Sequence, residues 1–428
     1  MRKNTKESAF SGGRGSAPVG HGRPGSERPT SEKGFRSHEA VAALDPLGAV
    51  SLLVAVPRLN RQADVDGLLR ILQICLTTVP GPSDRERENS FERSSGEDRR
   101  SPRSAPQGFG AAAAAMRDVG IVLGSLRRHG VEPLELWPEL EPWLLEVGRR
   151  TDLPPRDTLL HYTVWNPPSD LRTYTELAEE RRLIEAVRMA YPPLEEAVFE
   201  LAGLAAIPLD APDFEGLAAI PLDTPDFERS AQRVAGHLRK VRDAAVHTYR
   251  FVDRRVFVES IRPYFEPIRV DGKDYLGPGA VAMPLFILDH VLWSASVREA
   301  SYVGFKQDYL PVTLPELRRV YDRFSAEGPL LDRLVPVLRS RDRTGEVTRQ
   351  LRRNVAALDH IFVLLQRFRA VHLRMARQAY RGTVQGERRF HKGSGGYAPD
   401  MLEHIDRLTA RARARLAPWL SPSTRRRP

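Results

Sequence analysis

The chain of 428 residues carries a single cysteine, Cys75, so no intrachain disulfide and no Cys-based zinc or iron–sulfur cluster can form. Cys75 sits in the apolar run Leu72-Gln73-Ile74-Cys75-Leu76 and is expected to pack as a small hydrophobe. Long apolar runs are also scarce. The stretch from Gly48 to Pro57 is too short for a membrane span, and the alanines at 111–115 run into Arg117 and Asp118. The charged, Gly/Ser-rich N-terminus has no apolar signal core. These features predict a soluble, cytoplasmic protein without a membrane partner. Three catalytic signatures are missing too: His-Glu-x-x-His, Gly-x-Ser-x-Gly, and Gly-x-Gly-x-x-Gly after a strand. Sustained period-two alternation is nearly absent, which argues against a sheet-based fold.

Acidic residues fall short of basic ones, leaving a formal net charge of +10. Much of the excess lies at the two ends, in Arg2, Lys3, Arg14 and Arg23 and in Arg425, Arg426 and Arg427. Solvated tails account for such a distribution better than a nucleic-acid footprint, which needs a basic face on a folded element. No nucleic-acid partner is therefore expected. A helical binding protein holding DNA through its tails is the contrasting reading, and salt-dependent DNA retention would mark it.

Composition divides the chain. Residues 1–37 read as a disordered arm, and 38–165 as a small helical domain interrupted by a flexible insertion at 81–107. Residues 166–418 read as a larger helical domain, followed by a basic tail at 419–428. Trp165-Asn166-Pro167-Pro168 should end a helix, and Thr173 with Glu176 has capping-box spacing for a helix running toward Met189. Residues 203–215 recur as 216–228 with Thr224 replacing Ala211; such a duplication should lengthen a surface connection without touching the core. From Arg229 onward, segments near 229–257, 283–297, 314–326, 328–340, 345–382 and 399–415 carry i, i+3, i+4 apolar spacing. The predicted class is all-α.

The longest segment places Leu358, Ile361, Phe362, Leu365, Phe368, His372 and Met375 on one face. A histidine in an apolar stripe needs either a hydrogen-bond partner or a metal, and both readings stay open for His372. Arg369 lies one turn earlier, where a guanidinium could reach a carboxylate beside a histidine-bound iron; it reads equally as an ordinary helix arginine. Tyr380 lies two turns later and could line the same cavity or simply pack. Gly393-Ser394-Gly395-Gly396 enters a helix and offers free backbone N–H groups to an anion, though a hinge would look the same. Arg262 stands among aromatics after Phe257, a setting that suits an aromatic amino acid. Asp289 interrupts an apolar helix, and a buried acid there needs a cation, for which Arg369 is a candidate.

Taken in order, these segments resemble the indoleamine 2,3-dioxygenase superfamily and, within it, the monodechloroaminopyrrolnitrin synthases of pyrrolnitrin biosynthesis. The resemblance is carried by Asp45-Pro46-Leu47, by 114–118, by Leu159-Leu160-His161 with Thr163-Val164-Trp165-Asn166-Pro167, by Phe265 to Val270, by Tyr275 to Val281, by Met283 to Phe286 and by Gly393 to His404. It implies a two-domain helical protein binding heme b, with His372 as proximal iron ligand and Arg369, supported by Asp289, at a heme propionate. Phe257 and Arg262 would hold substrate ring and carboxylate; Tyr380 would line the pocket, and Ser394 and Gly395 would belong to a loop closing over heme and substrate. It further implies 7-chloro-L-tryptophan and dioxygen as reactants, with an unidentified electron donor, and rearrangement to an aminophenylpyrrole. Ring opening of tryptophan to N-formylkynurenine is the alternative outcome. Two departures argue for a reshaped pocket: Val258 stands where the dioxygenases tend to carry a second Phe, and Gly277-Pro278-Gly279-Ala280 replaces their Gly-Ser-Ala-Gly.

Overall fold

The structure, a computed structural model, describes residues 38–77, 102–206, 222–279, 283–381 and 396–420, without the side chains of 379–381. The fold is all-α: 72% of it is helical and 2% strand. Its longer helices are α1 (Val65–Thr77), α2 (Phe109–Arg128), α3 (Leu140–Thr151), α4 (Ala178–Ala205) and α5 (Pro225–Phe251). They are followed by α6 (Leu285–Asp289), α7 (Ala300–Tyr309), α8 (Pro315–Glu327), α9 (Leu330–Thr344), α10 (Arg349–Arg381) and α11 (Pro399–Ala414).

The described residues build two hydrophobic cores. One is centred on α2, which is buried on all sides from Ala112 to Leu126 and is packed between α1 and α3. By length and composition α2 could cross a membrane, yet 83% of that window is buried inside the protein. Gly120 and Gly124 allow its neighbours to approach: a Cβ on Gly120 would lie 2.3 Å from Asp157 Cβ, and one on Gly124 2.6 Å from the Tyr174 hydroxyl. Arg117 and Asp118, which count against a membrane span in the sequence, are buried and paired at 2.8 Å. Arg117 also donates to the carbonyls of Leu44 at 2.8 Å and Trp165 at 3.1 Å, and Arg172 donates to Asp118 at 3.1 Å. Ile261, Tyr264, Phe265, Ile268 and Val270, late in the sequence, join this first core.

The second core is formed chiefly by α4 to α11, with α5 packed against both α4 and α10 and α11 lying on α10. A chain of hydrogen bonds fastens the start of the described chain to this second core, to which Trp165 also belongs. Trp165 Nε1 donates to His38 Nδ1 at 2.9 Å, and His38 Nε2 donates to Glu195 on α4 at 2.8 Å.

Several expectations need correction. Helix α4 opens at Ala178 rather than at Thr173, and Leu177 supplies no side-chain cap. The Glu180 carboxylate instead holds the segment before the helix, accepting the N–H groups of Tyr174 and Thr175, both at 2.7 Å, and the Tyr162 hydroxyl at 2.8 Å. The helix also continues through Pro192-Pro193 to Ala205, because burial of its apolar face outweighs the lost hydrogen bonds. The duplicated segment does reach the core. Leu222 and Phe227 are buried, and Pro225 to Glu228 form the first turn of α5. The described end of the second copy, 222–228, thus belongs to the core and to α5; residues 207–221 lie outside the described residues. At the end of the expected 81–107 insertion, Ala105 is buried and Pro106 packs beside it, their carbonyls accepting from Arg150; 78–101 lie outside the described residues. Finally, a two-stranded hairpin pairs β1 (Ile268–Val270) with β2 (Lys273–Tyr275). Its turn, Asp271-Gly272, has positive φ at both positions, the Asp-Gly signature of a tight hairpin.

Candidate functional site

Helices α4, α5, α6, α10 and α11, with the segment after α5, enclose a cavity of about 330 Å³, within the range of small-molecule pockets. Its wall is mostly apolar. Ala186, Ala190, Ala244, Ala245 and Ala376 keep side chains short, leaving room for a flat ligand. Five residues singled out from sequence meet here: Phe257, Arg262, Asp289, Arg369 and His372. Ser394 and Gly395 lie outside the described residues, as does the side chain of Tyr380.

His372 sits on α10 with its partly exposed ring bordering the cavity and Phe368 one turn before it, the ring centroids 5.9 Å apart. Among the described residues neither ring nitrogen has a hydrogen-bond partner. Burial first, and the neighbouring Arg369 charge second, lower its pKa, so the imidazole is neutral and a ring nitrogen lone pair is free. One turn earlier, Arg369 is buried and makes an ion pair with buried Asp289, while its other amino group donates to Thr409. Burial opposes the Arg369 charge, but the Asp289 carboxylate more than compensates and its pKa is raised. Asp289 is held by Trp293, whose Nε1 donates to it at 3.0 Å.

Phe257 and Arg262 share the cavity wall because the backbone between them is a π turn, in which the Arg262 N–H bonds to the Phe257 carbonyl. In a regular α-helix, residues five apart would point about 140° away from each other. The wider turn returns Arg262 to the side of Phe257, and such turns often occur at functional sites. A second π turn, His290–Ser294, follows Asp289. Arg262 opens a 3-10 turn whose Tyr264 and Phe265 are buried against the first core, Tyr264 stacking on Tyr174 at 4.6 Å. Beyond it, fully buried Arg156 donates to the carbonyls of Glu266 and Tyr275, at 2.5 and 2.9 Å. The glycines of Gly277-Pro278-Gly279 allow this packing: a Cβ on Gly279 would fall 2.1 Å from the Phe265 ring.

Sequence reasoning missed part of the wall. Phe305, Tyr309 and Tyr397 form an aromatic side, with Phe305 and Tyr397 rings 5.2 Å apart and the Tyr397 hydroxyl donating to Asp308. Tyr249 and Arg254 also line the cavity. Phe305, Tyr309 and Tyr397 sit on or beside segments that look like ordinary packing, and Arg254 stands in a short break that carries no motif.

Fold and site together define an all-α protein with an enclosed, mainly apolar ligand cavity bearing one neutral imidazole and several guanidiniums. Over residues 38–420 the chain matches the family described as monodechloroaminopyrrolnitrin synthase PrnB, and it belongs to that family. It is accordingly an enzyme of pyrrolnitrin biosynthesis.

Proposed function

We propose that this chain binds heme b in the cavity and, with dioxygen and an electron donor, converts 7-chloro-L-tryptophan to monodechloroaminopyrrolnitrin, as an enzyme of the indoleamine 2,3-dioxygenase superfamily. The observation that carries this reading is His372, a neutral cavity imidazole without a hydrogen-bond partner among the described residues, one turn from a buried Arg369–Asp289 pair. An iron ligand needs a free lone pair, and the neutral His372 ring at the cavity offers one. The surrounding short, apolar side chains fit a flat macrocycle.

In this reading His372 holds the iron, and Arg369, kept charged and aimed by Asp289 and Thr409, meets a propionate. Bound heme supplies the oxygen chemistry, while the protein binds, orients and excludes water. Phe257 packs on the indole ring. Arg262, on the same face, takes the substrate carboxylate with the planar fork that suits it. The larger domain, 166–418, supplies every described residue of the cavity wall and would carry the heme.

Spectra of the purified, heme-supplied protein test the reading. A Soret band that is weakened or shifted in His372→Ala is the expected result. No heme uptake by the unmutated protein would rule it out. Product mass then separates rearrangement from dioxygenation, since N-formylkynurenine keeps both oxygen atoms and the carboxylate.

A further inference from the structure

Among the described lining residues the cavity wall carries three guanidiniums, Arg254, Arg262 and Arg369, and one carboxylate, Asp289. Arg369 is matched by Asp289. Arg254 is not matched by any acid among the described residues, although it is half-buried. Its guanidinium lies 5.1 Å from the centre of the Tyr249 ring and donates to the Tyr249 carbonyl at 3.3 Å. A second guanidinium, that of Arg374 one half-turn beyond His372 on α10, lies 5.9 Å from the same ring and likewise has no acid partner among the described residues. The nearby Arg374 and Gln378 side chains, as hydrogen-bonding neighbours of the Tyr249 hydroxyl, lower its pKa. Two arginines thus converge on one tyrosine, and one of them, with the tyrosine, borders the cavity. Withdrawing a guanidinium from water without an anion is unfavourable, and its fork is matched by a carboxylate.

We propose that Arg254, with Arg374 and Tyr249, forms a second carboxylate-binding site on the cavity wall, separate from Arg262 and from the Arg369–Asp289 pair. The inference rests on the heme reading in one respect: that reading gives one propionate to Arg369 and the substrate carboxylate to Arg262, and leaves heme's second propionate for this site. A substrate carboxylate is the same chemistry, and the test separates the two.

Arg254→Gln, with Arg254→Lys as the charge-retaining variant and Arg255→Gln as an exposed neighbour, tests this. Uptake of heme and of heme dimethyl ester is followed by absorbance, and binding of tryptophan and of tryptamine by calorimetry. Arg254→Gln is expected to weaken an acid ligand by about tenfold while its uncharged or decarboxylated counterpart is unchanged. Arg254→Lys should recover part of the loss, Arg255→Gln should match the unmutated protein, and thermal midpoints should be alike. Loss confined to heme over its diester identifies a propionate; loss confined to tryptophan over tryptamine identifies the substrate. Arg254→Gln binding all four ligands as the unmutated protein does would overturn the proposal, as would an unmutated protein that binds neither acid. Failure of heme uptake alone removes the heme reading, and the tryptophan arm still decides the role of Arg254.

Discussion

Arg369 and Asp289 are 80 residues apart in sequence and form a buried ion pair at the edge of the cavity, one turn of α10 from His372. The pair joins α6 to α10 and is completed by Thr409 on α11 and by Trp293. It fixes the direction of a guanidinium that would otherwise sample several rotamers.

Removing one charge of this pair should destabilise the protein more than removing both. Asp289→Asn leaves Arg369 a buried cation without its counter-ion, a change that costs about 3–5 kcal/mol. Replacing both, as Asp289→Asn with Arg369→Met, should restore much of that loss. Urea midpoints of the two variants measure the difference; equal losses would show that charge pairing is not what the site needs.

Stability should fall with acid through two buried histidines. Burial first, then the charge of Arg117, lowers the His161 pKa to about 3. Burial first, then Lys306, lowers that of His290 to about 3 as well. In the unfolded chain each takes up a proton near pH 6.5, whereas in the folded chain each stays neutral. The stabilising difference is therefore whole above that pH and declines as pH drops from about 6.5 toward 3, by up to roughly 1.4 kcal/mol per pH unit for each group. His161 accepts the Thr158 N–H at 3.0 Å, so His161→Asn keeps an acceptor while removing the titration. Denaturation across pH 4–7 should show a shallower slope in that variant.

Gly279→Ala should disturb both stability and ligand binding. The added Cβ would fall on the Phe265 ring, which can move only by displacing the turn that starts at Arg262. Overpacking of this kind costs about 1–3 kcal/mol. A weaker affinity for tryptophan, measured beside the thermal midpoint, is expected to accompany it; an unchanged affinity would separate Phe265 from the placement of Arg262.

Arg156→Met should loosen the hairpin that follows Arg262. It strands the carbonyls of Glu266 and Tyr275 and leaves Asp157, 3.3 Å from the Arg156 Nε, buried without its partner. The expected loss is about 3–5 kcal/mol. Hydrogen exchange of 268–275 should rise well before that of α10 does; uniform exchange across the chain would instead indicate global destabilisation.

Much of this was legible in the sequence. The i, i+3, i+4 spacing identified the helices because an apolar stripe must be buried, and it put Phe368, Arg369 and His372 on adjoining positions of one helix. The need of a buried acid for a cation linked Asp289 to Arg369 without a structure. Local pattern failed where a long-range contact overrode it. Glu180 holds the loop across which Thr173 and Glu176 carried the textual signal, and Phe227, in the second copy of a duplicated stretch, anchors α5. The π turn at Phe257 was invisible, since apolar spacing alone does not show that the backbone widens there.

The sequence by itself determined the helical class and which side chains carry chemistry, because burial and charge pairing are properties of residue types and their spacing. The tertiary structure alone decided which of those side chains meet. It brought Phe257, Arg262, Asp289 and His372 to one cavity and added Arg254 and Tyr249, because the packing of α4, α5, α10 and α11 depends on contacts between residues far apart in the chain, which no local pattern encodes.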